Sequence, residues 1–297
     1  MIESDQHMAN RASRTAWGPI VQVAFEQFVP QPKRIIQDVL AYRALPASLK
    51  LFVNIGGSGM IRNKLFALID RSVPGIRGGI LCRKRYVHER LVEKLGQDLR
   101  VLVILGAGMD TLAYRIPELT RLQVYEVDLP ETIEAKKAVL IRLFGKVPDY
   151  VRLVPIDFDR QDLGMALNKA GYSLESKSFF VWEGVTQYIS EAAVGKVFEF
   201  LKNASLGSWL VFTYIRKDFI DGQNMYDLEM LYRQTRLKNE FWQFGMQPDE
   251  VGGFLESYDW RQLEQIGSEE YQQRYLQPAG RIMPVMEVER LVYAEKN

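Results

Sequence analysis

Two stretches decide the fold: Val101-Leu-Val-Ile-Leu105 running into Gly106-Ala-Gly108-Met-Asp110-Thr111, and Val124-Tyr-Glu-Val-Asp128. The first five residues form an unbroken aliphatic run of strand length. That composition is expected of a strand buried on both faces of a parallel sheet. The run stops at a Gly-Ala-Gly turn, where the missing side chains let a ligand approach the backbone. The second stretch ends in two acids, Glu126 and Asp128, placed where a carboxylate accepts hydrogen bonds from ribose hydroxyls in doubly wound sheets. Together they predict a nucleoside-containing cofactor on a doubly wound α/β sheet.

Outward from these stretches, strands alternate with helices. The pattern predicts a helix over Pro130–Phe144, a strand over Val151–Ile156 running into Asp157-Phe158, and a helix over Asp159–Ala170 with Asp159 as its N-cap. A strand follows over Ser178–Trp182, ending in Glu183-Gly184, then a helix over Glu191–Asn203 and a strand over Ser208–Tyr214. Strands spaced this way imply right-handed crossovers and a parallel sheet. Residues 215–250 are rich in aromatic side chains and too long for a bare connection, so they predict a helical insertion on the substrate side. A short helix over Asp249–Tyr258, a strand over Trp260–Ile266 and a last strand over Met286–Ala294 complete the chain. Residues 1–95 read as a helical extension or lid packed on a core of residues 96–297. The helix expected over Gly78–Leu95 carries Cys82-Arg-Lys-Arg85-Tyr-Val-His88-Glu-Arg90. Its basic residues are either a solvated face paired with Glu89 and Glu93 or a source of one arginine for a cofactor carboxylate.

Composition narrows the function. Lys plus Arg is 38 and Asp plus Glu is 37, a net charge of +1 that gives no overall electrostatic case for nucleic acid or an anionic membrane. One cysteine, Cys82, forms no internal disulfide, and two histidines, His7 and His88, without a Cys/His cluster argue against a zinc site. No apolar run approaches the roughly 18 residues that span a bilayer. Met1-Ile-Glu-Ser-Asp-Gln-His7 lacks the basic and apolar regions of a signal peptide, so a cytoplasmic protein is expected.

Two cofactor classes compete for the turn. A nicotinamide dinucleotide wants a third glycine where Thr111 stands, and Asp110 would oppose its pyrophosphate. S-adenosylmethionine has no phosphate, and its ammonium and sulfonium are helped by acids. Acids recur at the strand ends: Asp110, Glu126, Asp128, Asp157 and Glu183.

Gly106-Ala-Gly-Met-Asp-Thr111, Tyr125-Glu-Val-Asp128, Asp157-Phe158 and Glu183-Gly-Val-Thr-Gln-Tyr188 resemble the successive motifs of the leucine carboxyl methyltransferase family. That family includes many bacterial O-methyltransferases. The resemblance implies a seven-stranded class I methyltransferase sheet with its last strand antiparallel, and S-adenosylmethionine as cofactor. It further implies that Arg83 or Arg85, with the preference on Arg85, binds the methionine carboxylate, and that Gly106, Ala107 and Gly108 pass beneath the methionine moiety. Asp128 would hold the ribose, with Glu126 and Asp110 beside it. Asp157 and the Phe158 N–H would meet the adenine, and Glu183 the ammonium. Thr186-Gln187 depart from the apolar residues usual there. Tyr188 and Tyr214 are candidates for positioning a small-molecule acceptor, and no catalytic base is assigned. The expected activity is methyl transfer to a carboxylate or hydroxyl oxygen. A nicotinamide-dependent oxidoreductase, a non-catalytic S-adenosylmethionine-binding protein and a methyltransferase of protein carboxyl termini are the alternatives.

Overall fold

The computed structural model of the chain describes residues 16–57, 59–238 and 241–297; His7 and the N-terminal segment discussed above lie outside them. Its centre is a seven-stranded sheet of order β3-β2-β1-β4-β5-β7-β6. The strands are β1 (Val101–Leu105), β2 (Gln123–Asp128), β3 (Val151–Pro155), β4 (Ser178–Trp182), β5 (Trp209–Ile215), β6 (Trp260–Ile266) and β7 (Glu289–Lys296). The first five pair in parallel, and β7 runs antiparallel to both β5 and β6. Reversal of strand order between β1 and β4 opens a crevice at the carboxyl ends, the place where open α/β sheets bind ligands.

Helices cover both faces. The described N-terminal part is helical, as expected: α1 (Trp17–Phe25), α2 (Val39–Ala44), α3 (Ala47–Ile55), α4 (Gly59–Ser72) and α5 (Ile76–Lys94). Alternation along β1 sends Leu102 and Ile104 to the face packed by Leu81, Tyr86 and Leu91 of α5. Val101, Val103 and Leu105 meet the opposite face, where α7 (Leu163–Lys169) and α8 (Glu191–Leu201) contribute Leu163, Leu167, Val197 and Phe198. Between β2 and β3 lies α6 (Pro130–Phe144), with Pro130 in its first turn and Gly145 at φ 80° closing it. The described residues of 216–250 contain no strand; they fold over a small apolar core of Phe219, Ile220, Leu231 and Trp242 shared with Met286 and Val288.

One helix start differs from expectation. The cap of α7 is Asp162, whose side chain accepts from the Met165 N–H, rather than Asp159. A turn held by the Asp157 carboxylate consumes the intervening residues. Asp159 instead accepts from the backbone N–H and hydroxyl of Ser190, the residue that caps α8.

Candidate active site

The glycine turn after β1 is bound to the end of β2 by three successive amides. The Gly106 and Ala107 N–H groups both donate to the Val127 carbonyl, at 2.8 and 3.0 Å. The Gly108 N–H donates to Asp128 Oδ2 at 2.7 Å. Only glycine serves at position 106: φ is +70°, and a Cβ there would lie 2.1 Å from Val185 Cγ2. Asp128 also accepts from the Leu129 N–H at 2.7 Å. Burial pushes its carboxyl above the ordinary aspartate range, against the pull of these two amides.

Beneath the turn sits a buried polar triad. Glu126 is fully buried, 2.6 Å from Lys136 Nζ, and accepts from the Tyr114 hydroxyl. The same Nζ reaches the Ala107 carbonyl at 3.3 Å. Burial raises the Glu126 carboxyl, with Lys136 and Tyr114 opposing. Its place is therefore behind the turn, not in the crevice where a ribose would lie. Position along the strand is the cause: Glu126 and Asp128 share a face of β2, but only Asp128 stands at the strand's end.

Along the edge, α5 lays a ladder of ion pairs across the ends of β1 and β4. Arg115 lies 2.9 Å from Asp38 and 3.5 Å from Asp110, and Lys84 Nζ lies 2.7 Å from Asp110 and 3.0 Å from Glu183. Arg83 joins Glu183 at 2.7 Å to Glu289, at the start of β7, at 2.5 Å. Burial opposes the charge on Asp110, yet Lys84 and Arg115 hold its carboxyl well below the usual range. Gly184 (φ +68°) lets this arginine approach, since a Cβ there would lie 2.8 Å from Arg83 Nη2. The preference for Arg85 is corrected. Its guanidinium is half-exposed and pairs with Glu89 one turn on, while Arg83, two residues earlier and on the opposite side of α5, enters the crevice. Lys84, Lys136 and Glu289 were not assigned from the sequence.

The remaining candidates divide. Asp157 follows β3 on the same edge, its carboxylate accepting from the Asp159 N–H at 3.0 Å with Arg160 nearby at 3.5 Å. Phe158 packs on Trp182. Tyr188 follows β4 in a single 3₁₀ turn, stacked on Phe241 at 5.8 Å and edge-on to Trp242. Burial pushes its phenol up, against the Trp242 indole and Arg83. Thr186 is turned inward, its hydroxyl donating to the Thr213 carbonyl. Tyr214 is withdrawn as a substrate contact: it is fully buried among Phe212 and its neighbours, and its hydroxyl donates to Gln265 at 2.9 Å. Of the two histidines, His88 lies on the outer side of α5 beside Arg85 and Glu89. Among the described residues no cluster of acids, histidines or cysteines could hold a metal.

The chain is similar to known proteins. The model of the leucine carboxyl methyltransferase family matches residues 16–202. The chain belongs to that family. A Mycobacterium tuberculosis H37Rv protein, named as an inferred S-adenosyl-L-methionine-dependent methyltransferase, is 26% identical over 231 residues, covering 77% of this chain and 72% of its own. Another from the same strain, named likewise, is 30% identical over 188 residues, 59% of this chain and 60% of its own. Among solved structures, an inferred methyltransferase from Thermobifida fusca matches with a TM-score of 0.57 at 13% identity, covering 89% of this chain and 94% of its own. A DUF574 family protein from Streptomyces avermitilis gives 0.54 at 12% identity, covering 80% and 91%. These two share the fold of this methyltransferase. Its cofactor is S-adenosylmethionine, and the edge fits such a ligand. Acids outnumber cations along the ladder, and phosphate is neither needed nor favoured beside Asp110.

Proposed function

We propose that this methyltransferase acts on an oxygen, carboxylate or hydroxyl, of a small-molecule acceptor. The observation that carries the reading is the juxtaposition of Arg83 and Glu183 with the Gly106–Gly108 turn and the Asp128 carboxylate. When bound, S-adenosylmethionine supplies a methyl group already activated by a sulfonium. Arg83 would hold the carboxylate of that molecule, Glu183 its ammonium and Asp128 its ribose hydroxyls. Asp157 and Phe158 stand at the strand end assigned to the adenine. Lys84 and Glu289 keep Glu183 and Arg83 in place.

On the acceptor side, Tyr188, Phe241 and Trp242 form an aromatic wall, and burial keeps the Tyr188 hydroxyl protonated as a hydrogen-bond donor. A protonated donor suits an acceptor oxygen, which needs alignment and exclusion of water more than a strong base when it is a carboxylate. Among the described residues no histidine lies in the ladder, which supports an acceptor that ionises unaided.

The test has two stages. Titration calorimetry with S-adenosylhomocysteine should show saturable binding that Asp128→Ala abolishes; wild-type affinity in that variant would refute the ribose assignment. A panel of carboxylic acids, phenols and amines with methyl-labelled donor then identifies the acceptor. Label released as methanol by base marks an ester, and label stable to base on a phenol marks an ether. Transfer confined to amines would refute the oxygen reading.

A further inference from the structure

The net charge of +1 conceals a strongly uneven distribution. From Val39 to Ile69 the chain has no aspartate or glutamate, while Arg43, Lys50, Arg62 and Lys64 are basic. This stretch forms α2, α3 and most of α4. Both α3 and α4 lean on α1 through one residue: Phe25 meets Phe52 at 5.9 Å and Phe66 at 5.2 Å, each edge to face. Their outer sides carry large apolar groups in the open. Leu51 is 61% exposed, Ile55 54%, Met60 74% and Leu68 63%.

The arrangement on α4 is specific. Met60, Ile61, Lys64, Leu68 and Arg71 recur at helical spacing and are all exposed, so apolar and cationic side chains share one face. The helix's one acid, Asp70, is turned inward to Arg77 at 3.2 Å and does not neutralise that face. On α3, Lys50 is pushed down by burial and by the neighbouring Arg142 and Arg43, a sign of uncompensated positive charge. Isolated apolar side chains projecting among cations are what an interfacial helix presents to lipid: the cations attract anionic headgroups and the apolar tips enter the acyl boundary. A folded protein partner would instead need a shaped, contiguous patch.

We propose that the outer face of α3 and α4 docks on an anionic lipid surface. Docking there sets the bilayer surface one helix from the cofactor turn, since α3 and α4 rest on α1, which begins beside Gly108. The inference does not depend on which atom accepts the methyl group.

Sedimentation of the full chain with sucrose-loaded vesicles tests it. Vesicles of phosphatidylcholine mixed with phosphatidylglycerol should pull the protein down, and vesicles of phosphatidylcholine alone should not. Lys64→Gln with Arg71→Gln should weaken binding roughly twenty-fivefold, at about fivefold per cation, and added salt should weaken it further. Met60→Ser with Leu68→Ser, both at exposed positions where folding is unaffected, should weaken it about tenfold. Failure of the wild type to sediment with the anionic vesicles would overturn the proposal. So would anionic binding that the Met60→Ser/Leu68→Ser variant retains in full, which would mark the face as a site for acidic macromolecules such as a soluble polyanion. Because no turnover is measured, either failure leaves the methyl-transfer reading untouched.

Discussion

Replacing Lys136 with methionine tests how the cofactor turn is held. Lys136 is buried, and its Nζ serves both Glu126 at 2.6 Å and the Ala107 carbonyl at 3.3 Å. Methionine fills a similar volume but leaves the Glu126 carboxylate buried with only the Tyr114 hydroxyl as partner. Breaking one side of a buried ion pair costs about 3–5 kcal/mol. For a chain of this length that is roughly 5–8 °C in Tm. The pH dependence has a definite sign. Burial already holds the folded Glu126 carboxyl above its unfolded value, and losing Lys136 raises it further. The folded variant then binds its proton more tightly than the unfolded chain does. Its deficit is therefore smallest below the ordinary glutamate range and grows as pH rises through the raised folded value. Thermal melts of the wild type, Lys136→Met, and Lys136→Met with Glu126→Gln, taken across pH, measure this directly. The double variant should regain most of the lost stability while still binding S-adenosylhomocysteine more weakly than wild type, because the Ala107 carbonyl has lost its anchor. A Lys136→Met protein within about 1 kcal/mol of wild type at mildly alkaline pH, or a double variant no more stable than the single, would refute the reasoning.

Three further outcomes follow from the same geometry. Arg85→Ala should change affinity for S-adenosylhomocysteine by less than about twofold, because an exposed pair contributes little, whereas Arg83→Met should lower it at least tenfold; calorimetry on the two variants decides whether Arg83 is the anchor. Gly106→Ala should abolish measurable cofactor binding in a protein that still melts cooperatively, since the new Cβ lies 2.1 Å from Val185 and φ is positive. Affinity for the cofactor should fall as pH drops into a range above that of an ordinary aspartate, because burial raises the Asp128 carboxyl and its ionised form is the one that accepts hydrogen bonds; the pH profile of S-adenosylhomocysteine binding, compared with Asp128→Asn, checks it.

The sheet was legible because its central strands β1, β4 and β5 are fully buried runs bounded by turns. Ser178–Trp182 and Trp260–Ile266 begin and end where the pattern places them, and Pro130–Phe144 carries its own start and stop signals. The glycine turn and Asp128 were legible for a related reason, since backbone approach and a strand-end acid leave a local mark. What depends on helix phase did not show. Gly78 to Tyr86 on α5 are buried almost without interruption, Arg83 and Lys84 included, so no apolar stripe marks which side of the helix faces the sheet and nothing in the sequence turns the preference from Arg85 to Arg83. Tyr214 was misread because a strand buried on both faces offers no outward position. Glu289 stands 206 residues from the arginine it holds, and nothing local to Glu287-Val-Glu289 distinguishes it from an exposed alternation.

Insertion of β7 between β5 and β6 has a consequence for biosynthesis. β6 has no partner, and β5 none on its β7 side, until Glu289–Lys296 has been made, and the register that joins Ile215 to Glu289 also delivers the carboxylate that closes the ladder on Arg83. The amino-terminal helices and the first five strands must wait as an incomplete sheet with an open edge, so folding is governed by late, non-local pairing. A nascent or truncated chain ending before Glu289 would lack both the cover for that edge and the final carboxylate, so competence to bind the cofactor would report that synthesis had passed β7.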